Sequence, residues 1–332
     1  MNGDVSRALL SVHDLVVEYH QPGSRQSLAA VRGVSLDIPE AGILALVGES
    51  GSGKTSLAHA ILQLLPVAAG SVRFRGRELG GMDRPALKQL RRCIQPIFQD
   101  PLAALSPRRT VLQTLLEPLD HFGIGNAQER EGMAGQALST VDLGPELLER
   151  FPHELSGGQR QRVALARALV CEPELVIADE PVSSLDIPMQ SRIIELVREL
   201  RDRLGIAFLF VSHDLSVVHR LADTVAVMYA GQLVETGPAA RIFSEPAHPY
   251  TRALMRAVPV ADPGRQAPQV LPGEPPSPLT PPAACVFHNR CAEAMAECAR
   301  QEPADRAIAP GEENKTEETQ WQHRVRCHLW NS

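Results

Sequence analysis

The sequence predicts an α/β fold with buried parallel strands, and three short apolar runs carry that prediction. Residues 43–47 form the first run and lead into a glycine-rich loop. Residues 175–178 form the second run and end in Asp179 and Glu180. Residues 207–211 form the third run and end in Ser-His-Asp. Each run therefore ends in side chains able to bind or act on a ligand.

The glycine-rich loop at residues 48–55 reads Gly-Glu-Ser-Gly-Ser-Gly-Lys-Thr and matches G-x-x-x-x-G-K-[ST], a loop whose backbone N–H groups surround nucleotide phosphates. The following segment, 55–65, has apolar residues at helical spacing. Lys54 is expected to reach the β- and γ-phosphates, and Thr55 to offer its hydroxyl to Mg²⁺. A plain Gly/Ser turn is the alternative, but a chance match is expected roughly once in a hundred chains of this length. The predicted nucleotide contacts are Gly48, Glu49, Ser50, Gly51, Ser52, Gly53, Lys54, Thr55 and Ser56.

A second candidate anion site lies about a hundred residues further on, before a strongly helical run at 160–169. Its serine and two glycines predict a helix N-terminus with N–H groups directed at an anion. A nucleotide held by the first loop does not need this second site, so we expect it to contact a nucleotide on another copy, in a head-to-tail dimer with ATP at the interface. An ordinary capped helix is the alternative. The candidate residues are Ser156, Gly157, Gly158 and Gln159.

Four polar residues suit phosphoryl transfer, which depends on positioned charge. Asp179 suits a Mg²⁺ ligand, and Glu180, one residue beyond, suits the general base for the attacking water. His213 is expected to contact the γ-phosphate and orient Glu180, although a lone histidine at a strand end is more often structural. Gln99 lies in a predicted turn and could ligate the metal or the water.

Together these motifs resemble the ATP-binding cassette (ABC) ATPases from about residue 10 to about residue 240. In that family's terms 48–55 is similar to Walker A, Gln99 to the Q-loop and 155–159 to the signature motif. Residues 175–179 are similar to Walker B, followed by the catalytic glutamate. The remaining matches are Asp186 in a D-loop-like 184–186, His213 as the switch histidine, and Tyr19 as the aromatic that stacks on adenine or, alternatively, a packed strand residue.

The resemblance implies a P-loop, RecA-like α/β core with an N-terminal antiparallel β subdomain and a helical subdomain at about 100–165. It places the ATPase domain at 1–240. It also implies closure of a dimer on ATP and Mg²⁺, with hydrolysis supported by Lys54, Gln99, Glu180 and His213.

Composition agrees with a soluble ATPase domain plus an appendage. The chain has 332 residues, of which 44% are hydrophobic, and no run approaches the ~18 consecutive apolar residues of a membrane span. The amino terminus lacks a secretory pattern. A net charge of −6 argues against general nucleic-acid binding. We expect a cytoplasmic protein whose membrane attachment comes through partners.

The organisation changes near residue 240. Residues 225–237 predict a β-hairpin that closes the ATPase domain, and 241–258 a connecting helix. Nine of the 24 residues at 259–282 are proline, so 259–284 is expected to be extended, as a flexible linker or a stiff strap.

The segment 285–332 carries four of the six cysteines: Cys285, Cys291, Cys298 and Cys327. Metal binding is favoured over disulfides in a cytosolic protein, and thiolates suit zinc or an iron–sulfur cluster. No C-x₂-C pair is present, which counts against a zinc ribbon. His288 and His328 are possible substitute ligands. Cys93 and Cys171 fit the role of small buried residues.

Residues 248–254, 273–278 and 285–291 resemble the C-terminal extension of oligopeptide/dipeptide/nickel importer ATPases, and 99–108 resembles their second, dipeptide F-type subunit. The resemblance implies a [4Fe–4S] cluster on the four cysteines. Ala292, where the family usually has proline, and an unusually long acidic gap at 311–320 depart from the pattern.

The expected function is to power import of peptides, or of a solute such as a nickel chelate, at the cytoplasmic face of the cell inner membrane. The implied partners are a sister or identical ATPase subunit, two integral membrane permease subunits and an extracytoplasmic substrate-binding protein, with no nucleic acid. The alternative is a soluble ABC-type mechanical or regulatory ATPase without a membrane partner.

Overall fold

The structure is a computed structural model that describes residues 8–20, 27–99, 105–257, 271, 273–277, 279, 281–308 and 322–330. The chain divides into two compact units. The first comprises Met1–Asp37, Leu44–Gly80 and Ser212–Ser332, and the second comprises Ile38–Ile43 and Gly81–Val211.

The N-terminal part of the first unit is an antiparallel sheet, with strand order β2-β1-β4-β5. Strands β1 and β4 pair in antiparallel register, with Leu10 opposite Phe74. Leu10, Leu15 and Val17 of β1 are buried, so one face of this sheet is apolar. The antiparallel subdomain expected from the resemblance is confirmed. The elements of this part are β1 (Ala8–His20), β2 (Ser27–Pro39), β3 (Ile43–Val47), α1 (Lys54–Ile61), β4 (Ala69–Phe74) and β5 (Arg77–Glu78).

The second unit contains three parallel strands and a group of helices. Strand β7 pairs in parallel with both β6 and β8, and its five residues are all buried. The helices α3, α4 and α5 pack against one another, which confirms the helical part of the predicted fold class. The elements are α2 (Arg84–Cys93), β6 (Ile94–Ile97), α3 (Val111–Phe122), α4 (Ala127–Thr140), α5 (Gly157–Leu169), β7 (Leu175–Asp179), α6 (Ile187–Leu204) and β8 (Ala207–Ser212).

The C-terminal part of the first unit contributes strands to a second sheet, the one that contains β3. Strand β9 pairs in parallel with β3 and antiparallel with β10, which confirms the predicted hairpin. Two short helices, α8 and α9, follow it where one connecting helix was predicted at 241–258. The elements are α7 (Leu215–Leu221), β9 (Thr224–Tyr229), β10 (Gln232–Pro238), α8 (Ala239–Ser244), α9 (Pro249–Ala257), β11 (Asp305–Ala307) and β12 (Arg324–Arg326), with 3₁₀ helices at His288–Arg290 and Ala296–Ala299.

The sheet continues beyond this hairpin. Strand β12 pairs with β10, with Glu235 opposite Val325, and β11 pairs with β12. The cysteine-bearing extension therefore adds two strands to the sheet that carries the glycine-rich loop. These strands are three residues long, too short for a periodic pattern to predict them.

A buried carboxylate secures this addition. Glu235 accepts backbone N–H bonds from Ala247 (2.7 Å) and His248 (2.9 Å), and its Oε1 lies 2.7 Å from Nε2 of His323. The Glu235 and His323 side chains are almost fully buried. Because a buried carboxylate is costly unless its hydrogen bonds are made, Glu235 ties β10 to the start of α9 and to the residue before β12.

Aromatic packing holds the cysteine-bearing segment against the same core. The ring of Phe287 lies 5.3 Å from Tyr229 and 5.4 Å from Tyr250, and these two tyrosine rings are 4.6 Å apart. Cys285 and Cys298 belong to this buried cluster. Most of the proline-rich segment lies outside the described residues, but the carbonyl of Pro282 accepts a 3.3 Å bond from Arg32 of β2.

The buried imidazole of His248 makes stability depend on pH. Its Nδ1 accepts the Tyr250 N–H at 3.0 Å. Burial is the largest reason why its pKa falls from 6.5 to about 4, while Glu235 opposes and Arg252 reinforces the shift. Between these values the unfolded chain holds a proton that the folded chain does not. This group's contribution is therefore fully present above pH 6.5 and is lost as the pH falls towards 4.

We expect His248→Asn to reduce that pH dependence, because asparagine keeps an acceptor for the Tyr250 N–H and does not titrate. The removed slope should approach 1.4 kcal/mol per pH unit, roughly the full effect of one proton. Denaturant unfolding across this pH range measures it, with the exposed His121→Asn as the control. Equal slopes for wild type and His248→Asn would refute the assignment.

Candidate nucleotide-binding site

The glycine-rich loop joins β3 to α1 in a shape that requires glycine at two positions. Gly48 has φ +153° and Gly53 has φ +105°. A Cβ on Gly48 would lie 2.1 Å from the carbonyl oxygen of Met228, and one on Gly53 would lie 2.2 Å from that of Ala30. Since both obstacles are backbone atoms, no side chain fits at either position. The loop therefore packs directly on the backbone of β2 and β9.

The lysine of the loop is held within the loop itself. Its Nζ donates to the carbonyl oxygens of Gly48 and Glu49, both at 2.9 Å. The carbonyl of Ser52 accepts a 2.9 Å bond from the N–H of Gly231 in the β9–β10 turn. Lys54 and Ser52 are buried, whereas Ser50 and Thr55 are exposed. The ammonium group is therefore already fixed among the backbone groups that would surround a phosphate.

The N-terminus of helix α1 favours binding of an anion at this loop. Its first intrahelical bond runs from the Leu57 N–H to the Gly53 carbonyl. The first-turn N–H groups of a helix, together with the helix dipole, attract anions. Beside this turn the hydroxyl of Tyr19 lies 3.1 Å from Ser56 Oγ, and the tyrosine ring is exposed.

In the second unit the strand β7 ends with two carboxylates in different environments. Asp179 is buried at the end of the strand. Glu180 has φ +46°, its N–H donates to the Val211 carbonyl at 3.0 Å, and Ser183 donates to its carbonyl. A positive φ is uncommon outside glycine and is often found at functional sites. Glu180 therefore lies directly beyond the end of the strand, in a backbone conformation held by two hydrogen bonds.

The structure brings Gln99 to this glutamate. Gln99 Nε2 donates to Glu180 Oε2 at 2.8 Å, although the two residues are 81 positions apart. Such a bond fixes the orientation of the carboxylate. Gln99 and Glu180, two of the predicted catalytic residues, therefore form one hydrogen-bonded pair.

The second candidate anion site is a capped helix in this chain. Ser156 is the N-cap of α5: its Oγ accepts the Gln159 N–H at 3.2 Å, while Gln159 Oε1 accepts the Ser156 N–H at 2.9 Å. The two glycines lie inside the first turn instead of before the helix, because this reciprocal cap starts the helix at Gly157. Gly158 also packs against the methyl end of Met189, where a Cβ would be 1.8 Å away.

Two other predicted contacts lie at element ends. Asp186 caps α6 by accepting the Met189 N–H at 2.9 Å. His213 is exposed directly after β8, and the next residue, Asp214, caps α7. Within the single chain, the Asp186 carboxylate thus has a structural role.

The four C-terminal cysteines are mostly buried and lie within electrostatic range of one another. Burial is the main cause that raises the pKa of Cys285, Cys291 and Cys327, the last to about 11, and neighbouring thiols raise each further. The N–H of Cys285 donates to the carbonyl of Cys298 at 3.1 Å. Among the described residues, however, no group of three or more His, Cys, Asp or Glu side chains is arranged to hold a metal ion.

The two histidines near these cysteines have other partners. His288 Nδ1 lies 2.6 Å from the Cys285 carbonyl oxygen, and His328 Nε2 lies 2.9 Å from that of Gln301. Neither joins the thiols in a metal-ligand group. Cys171 is buried and Cys93 half-buried, which agrees with the packing role expected for both.

Sequence reasoning missed three residues that surround Glu49 of the loop. Arg290 binds the Glu49 carboxylate through both terminal nitrogens, at 2.7 and 3.0 Å. Tyr250 accepts the Glu49 N–H at 2.9 Å, and Tyr229 accepts from Arg290 at 3.2 Å. The available signal was that Tyr250 and Arg290 lie in 248–254 and 285–291, two of the segments that resemble the importer C-terminal extension.

Three features together define an ATPase of the cassette type: a glycine-rich phosphate-binding loop, a strand-end Asp-Glu pair joined to a glutamine, and a Ser-Gly-Gly helix cap. Comparison with known proteins agrees. Residues 31–183 match the ABC transporter family, and residues 234–298 match the oligopeptide/dipeptide transporter C-terminal region. The chain belongs to the ABC transporter ATPases and is an ATP-hydrolysing enzyme.

Named relatives match over most of their length. The oligopeptide transport ATP-binding protein OppF of Escherichia coli K12 is 43% identical over 309 residues, which are 90% of this chain and 92% of that protein. A Brucella ovis protein provisionally named a peptide import ATP-binding protein is 44% identical over 304 residues, 91% and 95% of the two chains.

Two solved structures share the fold. One is a dimeric ATP-binding cassette in a post-hydrolysis state with ADP and Pi, at 27% identity and TM-score 0.63, covering 69% of this chain and 98% of that one. The other is cbiO1 of Clostridium perfringens, part of the ABC transporter complex cbiONQ, at 28% identity and TM-score 0.64, covering 72% and 92%. In the part of the chain that the structure describes, no helix is long and apolar enough to cross a membrane.

We expect Glu180→Gln to abolish turnover while ATP binding survives. The amide keeps an oxygen to accept the Gln99 bond, so the geometry is retained and only the basic carboxylate is lost. Loss of a general base should lower kcat by about 100-fold to 10,000-fold. Phosphate release and calorimetric ATP titration separate the two effects, with the exposed Glu199→Gln on α6 as the control. Hydrolysis within twofold of wild type would exclude Glu180 as the base.

Proposed function

We propose that this chain is one of two ATPase subunits that power import of peptides through a membrane ABC transporter. The observation that carries the proposal is the match of residues 234–298 to the oligopeptide/dipeptide transporter C-terminal region. This segment is not a loose appendage, because its Arg290 binds the Glu49 carboxylate of the glycine-rich loop. The strand β12, which follows it in the chain, pairs with β10. OppF, named as an oligopeptide transport protein, is similar across both regions.

The nucleotide in this proposal is ATP, held by the loop at 48–56 with Tyr19 against the adenine. Lys54 and the first turn of α1 stabilise phosphate charge. Thr55, Gln99 and Asp179 offer the hydroxyl, amide and carboxylate oxygens that suit Mg²⁺. When bound, Mg²⁺ would neutralise charge on the phosphates.

Hydrolysis would follow from the Glu180–Gln99 pair. Gln99 orients the carboxylate, and Glu180 takes a proton from the water that attacks the γ-phosphorus. The bond from that phosphorus to the β–γ bridging oxygen breaks, which yields ADP and phosphate. His213 would contact the γ-phosphate. On a second ATPase subunit, sister or identical, the residues Ser156, Gly157, Gly158, Gln159 and Asp186 would contact the same nucleotide.

The further partners proposed are two integral membrane permease subunits and an extracytoplasmic substrate-binding protein. The chain would bind the permeases at the cytoplasmic face of the cell inner membrane. The similarity to cbiO1, a part of an ABC transporter complex, supports such an assembly.

Affinity purification from detergent-solubilised membranes of the native host tests this proposal. Tagged Glu180→Gln protein, trapped with ATP, should recover a second cassette subunit and two integral membrane proteins. The reconstituted complex should hydrolyse ATP faster when loaded with a peptide-bound binding protein. The alternative, a soluble mechanical ATPase, would be favoured if the tagged chain stayed entirely in the soluble fraction and its ATPase activity did not change when membrane components were added.

We also propose that Cys285, Cys291, Cys298 and Cys327 hold a [4Fe–4S] cluster. The proposal rests on the chemistry of the four thiols, which are soft donors without the C-x₂-C spacing of a zinc ribbon. Four cysteine thiolates are the ligand set of such a cluster, and the N–H of Cys285 donates to the carbonyl of Cys298 at 3.1 Å. Burial from water suits such a cluster, whose properties depend on solvent exposure.

Anaerobic purification should therefore give a coloured protein with about four irons per chain, the content of a [4Fe–4S] cluster. Cys298→Ser should lose the colour and most of the iron. Cys93→Ser, outside the group, should keep both. A colourless wild-type protein that contains zinc would rule the cluster out.

A further inference from the structure

Glu49 is the second residue of the glycine-rich loop at 48–55, called the phosphate loop from here on. Two residues that lie outside every ABC motif in the chain hold it. Both terminal nitrogens of Arg290 bind its carboxylate, and the hydroxyl of Tyr250 accepts its backbone N–H. Arg290 belongs to the 3₁₀ turn between Cys285 and Cys291, and Tyr250 to α9. The C-terminal region thus contacts the loop at both the side chain and the backbone of one residue.

This contact is not an ordinary surface ion pair. The Arg290 side chain is only 6% exposed and that of Glu49 is 27% exposed. Arg290 also lies over the ring of Tyr229, 5.8 Å from its centroid. Hydrogen bonding to Glu49 is the main cause that raises the Arg290 pKa above its ordinary value. A two-point, largely buried arginine–carboxylate pair fixes geometry in a way that exposed pairs do not.

The support for Arg290 and Tyr250 is itself rigid. The rings of Tyr229, Tyr250 and Phe287 pack within 5.4 Å of one another, and all three are buried. Phe287 also accepts the Arg290 N–H on its carbonyl at 3.0 Å. Both residues therefore reach Glu49 from a packed core.

Through Glu49 the contact extends to the phosphate-binding lysine. The Glu49 carbonyl is one of the two backbone oxygens that receive Lys54 Nζ. Glu49 is thus fixed at its N–H, its carboxylate and its carbonyl. The Glu49 carboxylate would also repel a triphosphate bound next to it, and Arg290 neutralises that charge.

We propose that Arg290 and Tyr250 are positioning residues for MgATP, which hold the phosphate loop in its binding conformation and cancel the charge of Glu49. The role concerns affinity. Neither residue acts on the transferred phosphoryl group, so their loss should raise KM and Kd for ATP and leave kcat at saturation largely unchanged.

The test uses the full-length chain with MgATP as the probe. For Arg290→Ala we expect the KM for ATP, and the Kd measured in the Glu180→Gln background, to rise roughly 10- to 100-fold, the range for a lost charged hydrogen bond. The kcat should stay within about threefold. Arg290→Lys, which keeps the charge but not the two-point contact, should be intermediate. Tyr250→Phe should show a smaller rise. The exposed Arg300→Ala in the same extension is the matched control.

A double variant separates positioning from simple destabilisation. Arg290→Ala leaves the Glu49 charge without its counterion, so adding Glu49→Gln should recover part of the ATP affinity. A purely structural role predicts a lower Tm with unchanged KM, and no recovery in the double variant; either result would overturn the proposal. If Arg290→Ala does not fold, Arg290→Lys with and without Glu49→Gln gives the same decision. The result is independent of peptide import, since it concerns ATP binding alone.

Discussion

The C-terminal region depends on one buried carboxylate, that of Glu235. It accepts the N–H groups of the two residues directly before α9 and contacts the imidazole of His323, so three separate stretches of chain meet at a single side chain. Burying a carboxylate is unfavourable unless such bonds are made, and the arrangement therefore exists only when all three stretches are in place. Helix α9 carries Tyr250, and Tyr250 holds the backbone of Glu49. The phosphate loop and the C-terminal extension are consequently parts of one packed structure.

Local patterns were sufficient for the elements that carry the ABC motifs. The loop after β3 could be predicted because glycine, lysine and threonine occur at fixed spacing between a buried strand and a helix. The strand β7 could be predicted because the four residues 175–178 form one apolar run that ends at the Asp-Glu pair. The serine cap of α5 could also be predicted from adjacent residues. The start of the helix at Gly157 could not, because the sequence analysis did not identify the bond from the Ser156 N–H to Gln159 Oε1.

Contacts between residues far apart in sequence were not predictable in this way. Glu235 and His323 are 88 positions apart, and Glu49 and Arg290 are 241 apart. Neither pair has a periodic signature, and a lone arginine or histidine carries no information about its partner. The extra strands of the extension were missed for a related reason: three residues cannot display an alternation, and their pairing is fixed by the buried Glu235–His323 contact. The cysteines were visible as a group, but the burial of Cys285 and Cys298 in one cluster with Tyr250 and Phe287 was not.

The position of Arg290 links two features of this chain, the cysteine-bearing segment and the phosphate loop. The same short turn has a cysteine at each end of its segment, Cys285 and Cys291, and carries the arginine that binds the phosphate loop. The turn is closed by bonds from His288 and Arg290 to the preceding backbone. Any change in the path of this turn must therefore move the guanidinium relative to Glu49. The Glu49 carbonyl also accepts a hydrogen bond from Lys54 Nζ. The geometry of the phosphate site therefore depends on Arg290, which is 241 residues from Glu49 in sequence. An ATPase domain cut at residue 240 would lack this residue.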